Sequence, residues 1–411
     1  MCALAEPPTE SHPKGARASP ELGDLFRRHG ERYADAHQVS SVQRNAIRDL
    51  SQCRTAALGG HLEACDQCGN RRAVYHSCRN RHCPKCQSLA QADWVEARRA
   101  DLLPVEYFHV VFTLPHELCP LALYRPRIVY DLLFRAATAT LAAFAQDRRH
   151  FSGKTEGGTL GITAILHTWA QNLSLHPHLH CVVTGGALSS NQQNFLTPPS
   201  KGFLFPVRAL SKVFRGKFLE GLLRAFESGK LGDDTSVPKL CHTLRSRDWV
   251  VYAKPPFAGP ERVLAYLGAY THRIAISNHR ILSSQPNRVA FRYRDSANAN
   301  KKKVMYLDAQ EFIRRFLLHV LPKGFVRIRH YGLLANRNRK EKIARCRDLL
   351  AAPTPEQHAP QNRREKLLER FGVDIERCPA CREGRMAVVA EIDRVPWFFL
   401  YPRRVEVNDS S

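Results

Sequence analysis

Hydrophobic and polar positions over residues 101–335 follow both the two-residue period of strands and the 3.6-residue period of helices. Short apolar runs that end at turn residues predict strands over residues 106–113, 159–166, 175–184, 249–253 and 325–331. Apolar residues at helical spacing predict helices over residues 88–103, 124–146, 207–226 and 312–320. The 175–184 strand is expected to end at Gly185-Gly186, and residues 274–276 and 289–293 are expected to form a hairpin. Since strands and helices do not alternate strictly, antiparallel pairing and an α+β fold are predicted.

The segments on either side of this region differ from it in composition. Residues 1–21 are rich in Pro, Glu and Ser and are expected to form a flexible tail. Short helices are expected up to about residue 50, whereas residues 53–87 lose hydrophobic periodicity and must be held together by something other than an apolar core. Residues 351–362 are predicted to be a linker before a last helix. The predicted domains are residues 1–21 (tail), 22–100 (helical, zinc-binding and DNA-docking), 101–345 (central domain) and 346–411 (C-terminal segment).

The charge balance points to a polyanionic partner. The 411 residues include 62 Lys and Arg against 38 Asp and Glu, a net charge of +24, which suits nucleic acid or an anionic membrane. The best apolar run, residues 132–145, contains Arg135 and is too short to span a bilayer, so a buried core helix is expected. The first thirty residues contain no hydrophobic stretch that could act as a secretion signal. The expectation is a cytoplasmic, nucleoid-associated protein without membrane contact.

Cysteine spacing predicts a structural metal site. Thirteen cysteines in a reducing compartment are not expected to form disulfides, and fourteen residues separate Cys65-x-x-Cys68 from Cys83-x-x-Cys86. Two such pairs can complete one tetrahedral zinc site without an open coordination position. The neighbours that could replace a ligand or bind a second ion are Cys53, His61, His76, Cys78 and His82. Alternatively, Cys53 and Cys78 are simply packed thiols.

Two further features accompany these cysteines. The same segment is crowded with the cationic residues Arg71, Arg72, Arg79, Arg81 and Lys85. This charge favours a DNA-docking element over a merely solvated surface. Cys378-x-x-Cys381 supplies only two ligands, so it predicts a second zinc site only if partners such as Cys346 and His330 complete it.

A histidine pair lies in the predicted 175–184 strand. His178 and His180 are two residues apart and therefore point to the same side of the strand. A solvated strand edge is the alternative, but apolar neighbours such as Leu179 and Val182 indicate a buried strand, where unpaired imidazoles would be costly. The pair is therefore predicted to bind a divalent cation.

A tyrosine pair lies on a helix predicted to begin at Pro260. Tyr266 and Tyr270 are four residues apart and share one helix face, which by itself is also typical of two core residues. The flanking cations are Arg262, His272 and Arg273, and they suit a phosphate. A phenol attacking a phosphodiester that a divalent ion polarises would give a phosphotyrosine, and religation would need no nucleotide cofactor. In agreement, Gly153-Lys154-Thr155 lacks the upstream glycine of a P-loop.

These motifs together resemble a known family. His178-Leu179-His180 resembles the histidine–hydrophobic–histidine (HUH) motif of single-strand endonucleases. The sequence YLGAY, residues 266–270, resembles the tyrosine pair of the rolling-circle transposases of IS91-like insertion sequences. Residues 53–86 resemble the N-terminal zinc-binding domain of that family. The similarity covers roughly residues 25–345.

The resemblance carries implications for fold and chemistry. It implies an HUH-type central antiparallel sheet flanked by helices, with Mg²⁺ or Mn²⁺ on His178 and His180. A polar residue upstream of the histidines can complete such a site, which suggests Gln171, with His272 as its rival. Tyr266 and Tyr270 would be the nucleophiles of successive strand transfers. Zinc would be structural.

Three hypotheses for function follow from these motifs. The first is a DNA transposase that nicks and rejoins single-stranded DNA at transposon ends and target through a 5′-phosphotyrosine. A rolling-circle replication initiator or relaxase would use the same chemistry. A non-enzymatic zinc-ribbon DNA-binding regulator would use none of it. A basic run such as Lys301-Lys302-Lys303 is commonly a solvated face, but its place next to the predicted nuclease site favours a DNA track, with Tyr306 and Tyr331 as base-stacking residues.

Overall fold

The computed structural model describes residues 20–152, 156–232, 235–254, 262, 263, 266, 268, 274–295, 298–353 and 362–400. The helices with defined bounds are α1 (Leu22–Ala36), α2 (Ser41–Gln52), α3 (Pro84–Arg99), α4 (Cys119–Tyr124), α5 (Pro126–Gln146), α6 (Val207–Glu227), α7 (Ser236–Arg245), α8 (Ala309–Leu317), α9 (Arg339–Leu349), α10 (Arg363–Phe371) and α11 (Trp397–Leu400). The strands are β1 (Gly60–Cys65), β2 (Arg71–Tyr75), β3 (Tyr107–Thr113), β4 (Gly158–Trp169), β5 (Leu175–Ser189), β6 (Phe195–Leu196), β7 (Val251–Lys254), β8 (Ile281–Ser284), β9 (Arg288–Asp295), β10 (Lys301–Asp308), β11 (Ile328–Gly332) and β12 (Met386–Ile392).

The largest sheet is antiparallel and has the strand order β11-β4-β5-β3-β7, with β6 beside β5. The α+β prediction is therefore confirmed. Strand β5 does not end at Gly185-Gly186, as the sequence suggested, but continues to Ser189. A Cβ at Gly186 would lie 2.3 Å from the Phe195 ring, and one at Gly185 would lie 2.7 Å from the Glu106 carbonyl oxygen. These glycines permit close neighbours inside a strand rather than a turn.

The two faces of this sheet have different roles. On one face, Phe108, Val110 and Phe112 of β3 pack with α5 and α6 in the largest core. Helix α5 is long and apolar enough to cross a membrane by composition, but it packs on β4 and α6, so the expected core helix is confirmed. The opposite face carries the alternate residues of the strands, including Tyr107, His109 and Ile165. That face holds the histidines discussed below.

A second core joins the N-terminal helices to a smaller sheet of order β10-β9-β8. The rings of Phe26 in α1 and Phe316 in α8 pack edge to face with centroids 5.2 Å apart. Apolar packing therefore crosses the boundary predicted near residue 100. The expected hairpin of residues 274–276 with 289–293 does not form, because β9 pairs with β8 and β10. Ala275 and Ile276 are buried in this second core but belong to no strand, so their apolar character reflects core packing and not strand pairing.

A third sheet has the order β12-β1-β2 and brings the two ends of the chain together. Strand β12 pairs antiparallel with β1 from Gly60↔Ile392 to Cys65↔Met386, with a register shift after Leu62. The C-terminal segment therefore packs on the cysteine-rich region near the N-terminus, a pairing that no sequence pattern indicated.

Candidate functional site

Three histidines converge on the sheet face opposite α5 and α6. His178 and His180 point the same way from β5, and His167 of β4 lies directly across from His178 in the register. One ring nitrogen from each of the three lies within 4.8 Å of the others. The ring centroids of His167 and His180 are 4.4 Å apart, and those of His178 and His180 are 4.8 Å apart. This triad is a half-buried cluster of ligand atoms suited to a divalent cation.

Hydrogen bonds orient two of these imidazoles. Nδ1 of His178 lies 2.7 Å from the carbonyl oxygen of His176, to which it can donate. Nδ1 of His180 lies 2.8 Å from Nε2 of the buried His109 on β3. With Nδ1 engaged in both rings, Nε2 is the nitrogen left to bind an ion, which is how outer partners fix the orientation of metal ligands.

His167, which sequence reasoning did not select, joins His178 and His180 in this group, and Gln171 stays a predicted third ligand. Gln171 lies in the turn after β4, and its carbonyl oxygen accepts a hydrogen bond from Arg280. His167 was missed because the strand was predicted to end at Leu166, one residue too early. Extending the alternation by one residue would have placed His167 on the correct face.

Tyr266 lies next to this triad. Its hydroxyl oxygen is 2.9 Å from Nδ1 and 2.8 Å from Nε2 of His109, which in turn contacts His180. Burial, reinforced by the positive charges of Lys254 and His178, lowers the pKa of His109 to about 3, so its ring is neutral at neutral pH. Sequence reasoning did not select His109, because it is a single histidine within an apolar strand pattern. Tyr270, His272 and Arg273 lie outside the described residues.

The predicted DNA-contacting residues occupy exposed positions where they are described. Arg262 is exposed, and Lys301, Lys302 and Lys303 project from β10. Lys303 also forms a 2.7 Å ion pair with Asp295. Tyr306 is 57% exposed, with the Arg288 guanidinium 4.3 Å from its ring centre. Tyr331, in contrast, packs against the largest core, which makes it a poor base-stacking residue.

The cysteines form two clusters rather than the single site predicted from Cys65, Cys68, Cys83 and Cys86. The first cluster consists of Cys53, Cys78, Cys83 and Cys86. Its sulfurs lie 3.6 Å apart for Cys53 and Cys86 and 3.7 Å for Cys78 and Cys86. Hydrogen bonding among the thiols, first from Cys78, lowers the pKa of Cys53 to about 7. Cys53 and Cys78 thus lie among the other potential ligands, in line with the expectation that neighbouring residues could replace a ligand or bind a second ion.

The second cluster consists of Cys65, Cys68, Cys378 and Cys381. The grouping changes because β12 brings the C-terminal pair to the end of β1, whereas Cys83 and Cys86 lie at the start of α3, next to Cys53 at the end of α2. The suggested partners of Cys378 are absent from it. Cys346 is buried in a separate small core, and Nδ1 of His330 lies 3.1 Å from the Thr163 hydroxyl.

A cleft of about 850 Å³ lies beside the first cysteine cluster. It is lined by the cationic side chains of Arg54, Arg79, Lys85 and Arg394, and by the carboxylates of Asp49 and Asp93. Arg81, by contrast, faces inward, where it donates hydrogen bonds to the carbonyl oxygens of Leu321, Pro322 and Phe325. The excess of positive charge makes the cleft a candidate surface for an anion.

Comparisons with known proteins agree with this architecture. A family model described as "Putative transposase" matches residues 161–342, and one described as "Transposase zinc-binding domain" matches residues 25–114. The chain is 49% identical over 393 residues to "Putative transposase y4qJ" of Sinorhizobium fredii, covering 92% of this chain and 97% of that protein. It is 27% identical over 371 residues to the "Transposase for insertion sequence element IS801" of Pseudomonas savastanoi pv. phaseolicola, covering 86% and 85%. No solved structure matches the chain.

Proposed function

The chain belongs to the IS91-like transposase family with an N-terminal zinc-binding domain, and from this premise we propose that it nicks and rejoins single-stranded DNA through a 5′-phosphotyrosine. The DNA partners would be the single-stranded transposon ends and the target, encountered at the bacterial nucleoid. The observation that carries the proposal is the sequence of contacts from the Tyr266 hydroxyl to His109 and on to His180. It connects a nucleophile to a cluster of metal ligands.

The donor set of the triad fits a divalent ion. Three imidazoles with their ligand atoms within 4.8 Å of one another can hold Mn²⁺ or Mg²⁺, and nitrogen ligands favour the former. When bound, the ion would polarise the scissile phosphate and offset its developing negative charge. The four-cysteine clusters, which leave no coordination position open, suit structural zinc instead.

The covalent step uses the phenol of Tyr266. Its oxygen forms a bond to the scissile phosphorus while the bond from phosphorus to the 3′ oxygen breaks, and the released 3′ oxygen takes up a proton as the phenol loses one. The ester is conserved, so the reverse reaction rejoins DNA without a nucleotide cofactor. Tyr270 would serve as the nucleophile of a second strand transfer.

His109 is the positioning residue for that phenol. If Nε2 of His180 binds the ion, its Nδ1–H donates to Nε2 of His109, whose own proton then resides on Nδ1. That Nδ1–H can donate to the phenol oxygen 2.9 Å away. Such a bond holds the nucleophile in place and favours its deprotonated form.

The surfaces around the site suit a DNA backbone. Lys254 lies across from His109 in the β3–β7 register and adds positive charge to the same face. The basic cleft beside the first cysteine cluster and the lysines of β10 provide further positive charge. Lysine and arginine contacts to phosphates would supply affinity and register.

The proposal is tested by incubating the protein with labelled single-stranded DNA and Mn²⁺ or Mg²⁺, followed by denaturing electrophoresis. A labelled covalent adduct is expected, with mass spectrometry placing the label on Tyr266 or Tyr270. Tyr266→Phe with Tyr270→Phe should abolish it without changing DNA affinity, whereas Tyr107→Phe on β3 should leave it unchanged. DNA binding without any adduct under either ion would instead indicate a non-enzymatic DNA-binding protein.

A further inference from the structure

The CxxC turn that follows β1 meets the CxxC turn that precedes β12. Cys65 is the last residue of β1 and lies opposite Met386, the first residue of β12. Cys378 and Cys381 immediately precede that strand. Antiparallel pairing therefore places two cysteine pairs from opposite ends of the chain side by side.

The spacing of the four sulfurs matches tetrahedral metal coordination. The Sγ atoms of Cys65 and Cys381 are 3.7 Å apart, as are those of Cys68 and Cys378, and all four lie within 4.8 Å of one another. A tetrahedron with zinc–sulfur bonds of about 2.3 Å has edges of about 3.8 Å. Disulfide bonds would need sulfurs about 2 Å apart. The arrangement is that of thiolates around an ion.

Backbone groups around the cluster support the same chemistry. The amide of Gln67 donates to Sγ of Cys65 at 3.4 Å, and the amide of Gly384 donates to Sγ of Cys381 at 3.3 Å. Such N–H···S bonds stabilise thiolate charge around a bound metal. A Cβ at Gly384 would lie only 2.4 Å from Sγ of Cys65. A residue without a side chain is therefore needed where the two turns meet.

The third sheet has too little apolar contact to hold itself together. In β12 only Met386 is buried, and five of the other six residues are exposed. In β1 the two end residues alone are buried, and β2 has no buried residue. Small structural units without a sufficient core require disulfides, metals or other cross-links. A metal ion at the cysteine end of the sheet would supply the missing link.

We propose that Cys65, Cys68, Cys378 and Cys381 bind a second structural zinc ion that fastens the C-terminal segment to the β1–β2 hairpin. It is separate from a zinc ion on Cys53, Cys78, Cys83 and Cys86, which all lie inside the matched zinc-binding segment. Residues 378 and 381 lie outside both matched segments, which end at residues 114 and 342. The site is independent of the nuclease chemistry proposed above.

The joined C-terminal segment contributes to the basic cleft. Arg394, just after β12, lines that cleft together with Arg54 and Lys85 from the N-terminal region. The amide of Val395 also donates to the carbonyl oxygen of Ala56 at 3.0 Å. Zinc at the other end of β12 would therefore help to keep this arginine in the anion-binding surface.

Zinc content of the purified full chain, measured by inductively coupled plasma mass spectrometry, tests the proposal. We expect two zinc ions per chain. The double variant Cys378→Ser and Cys381→Ser should contain one zinc ion, as should the double variant Cys65→Ser and Cys68→Ser. Because all four cysteines bind the same ion, the quadruple variant should also retain one. The pair Cys83→Ser and Cys86→Ser should remove the other ion. Cys241→Ser and Cys346→Ser, in buried thiols outside both clusters, should leave two.

Two further measurements distinguish loss of this zinc site from general misfolding of the variants. Gly384→Ala should also lower the zinc content to one, whereas Gly216→Ala, on open surface of α6, should leave two. Hydrogen exchange at the β12 amides should accelerate in the Cys378 and Cys381 double variant while exchange in β4 and β5 stays slow. One zinc per wild-type chain, unchanged zinc in that double variant, or paired disulfides in the denatured wild-type chain would overturn the proposal.

Discussion

The Tyr266 hydroxyl lies 2.9 Å from Nδ1 of His109, and Nε2 of His109 in turn lies 2.8 Å from Nδ1 of His180 in the histidine triad. Three parts of the chain that are distant in sequence come together in this contact: the helical residue Tyr266, β3 and β5. The contact gives His109 a testable role that differs from simple packing.

Removal of the His109 nitrogens should slow adduct formation. His109→Phe retains a ring but cannot donate to the phenol, so we expect a rate about 10- to 100-fold lower, as for other outer partners of metal ligands. Because the phenol oxygen would no longer accept this hydrogen bond, the pH–rate profile should also shift to higher pH. Single-turnover kinetics across pH measure both effects.

The matched control for this variant is Tyr107→Phe, because Tyr107 lies on the same sheet face as His109. Its hydroxyl oxygen accepts a buried hydrogen bond from the amide of Leu103, which the variant removes. It should leave the pH profile unchanged. His109→Gln, which retains a side-chain N–H, should recover part of the rate. An unshifted profile in His109→Phe would argue against the positioning role.

The triad predicts that His167, and not Gln171, completes the metal site. His167→Ala removes one of three ligands, so Mn²⁺ affinity and adduct formation should both fall by at least about 100-fold, beyond the effect of outer partners. Gln171→Ala should resemble the wild type. Isothermal titration with Mn²⁺ gives the affinity without relying on activity, and the reverse ranking of the two variants would restore Gln171 as the ligand.

The lysines of β10 should contribute to DNA affinity through phosphate contacts. If Lys301→Gln with Lys302→Gln removes two contacts, the slope of log affinity against log salt should flatten by about 1.4, since each contact to a single strand contributes about 0.7. Lys212→Gln with Lys239→Gln changes two exposed lysines on the helices of the other sheet face and should leave the slope unchanged. Fluorescence anisotropy at several salt concentrations measures the slopes. Equal slopes for the wild type and the Lys301 and Lys302 variant would indicate that these lysines of β10 are solvated and do not contact DNA.

Arg81 should stabilise the fold rather than bind DNA. Its guanidinium donates to three carbonyl oxygens of residues 321, 322 and 325, at 2.6 to 3.2 Å. Arg81→Ala should lower the free energy of unfolding by about 2 kcal/mol, because buried carbonyl groups lose charged donors. Arg71→Ala, an exposed residue of β2, should have little effect. Urea denaturation measures both, and a DNA-binding defect in Arg81→Ala at full stability would contradict this assignment.

Much of the fold could be read from local periodicity. Helices α1, α2, α5, α6 and α8 and strands β3, β4, β5 and β11 lie near their predicted positions, because an apolar face repeats within each of them. Strand β10 was not predicted, because its first three residues are all lysines and show no alternation of apolar and polar residues. The ends of β4 and β5 were also wrong, because glycine in β5 and histidine in β4 are not typical strand residues.

The chain's own residues determined its excess of positive charge, its abundance of cysteine and the common face of His178 and His180, since composition and strand alternation are local properties. Only the tertiary structure decided that His167 joins this pair, that His109 contacts Tyr266, and that Cys65 and Cys68 lie beside Cys378 and Cys381. Each of these depends on which strands become neighbours, and strand pairing is set by packing over hundreds of residues. A periodic pattern specifies which side chains share a face of one element, but it does not specify which other elements pack against that face.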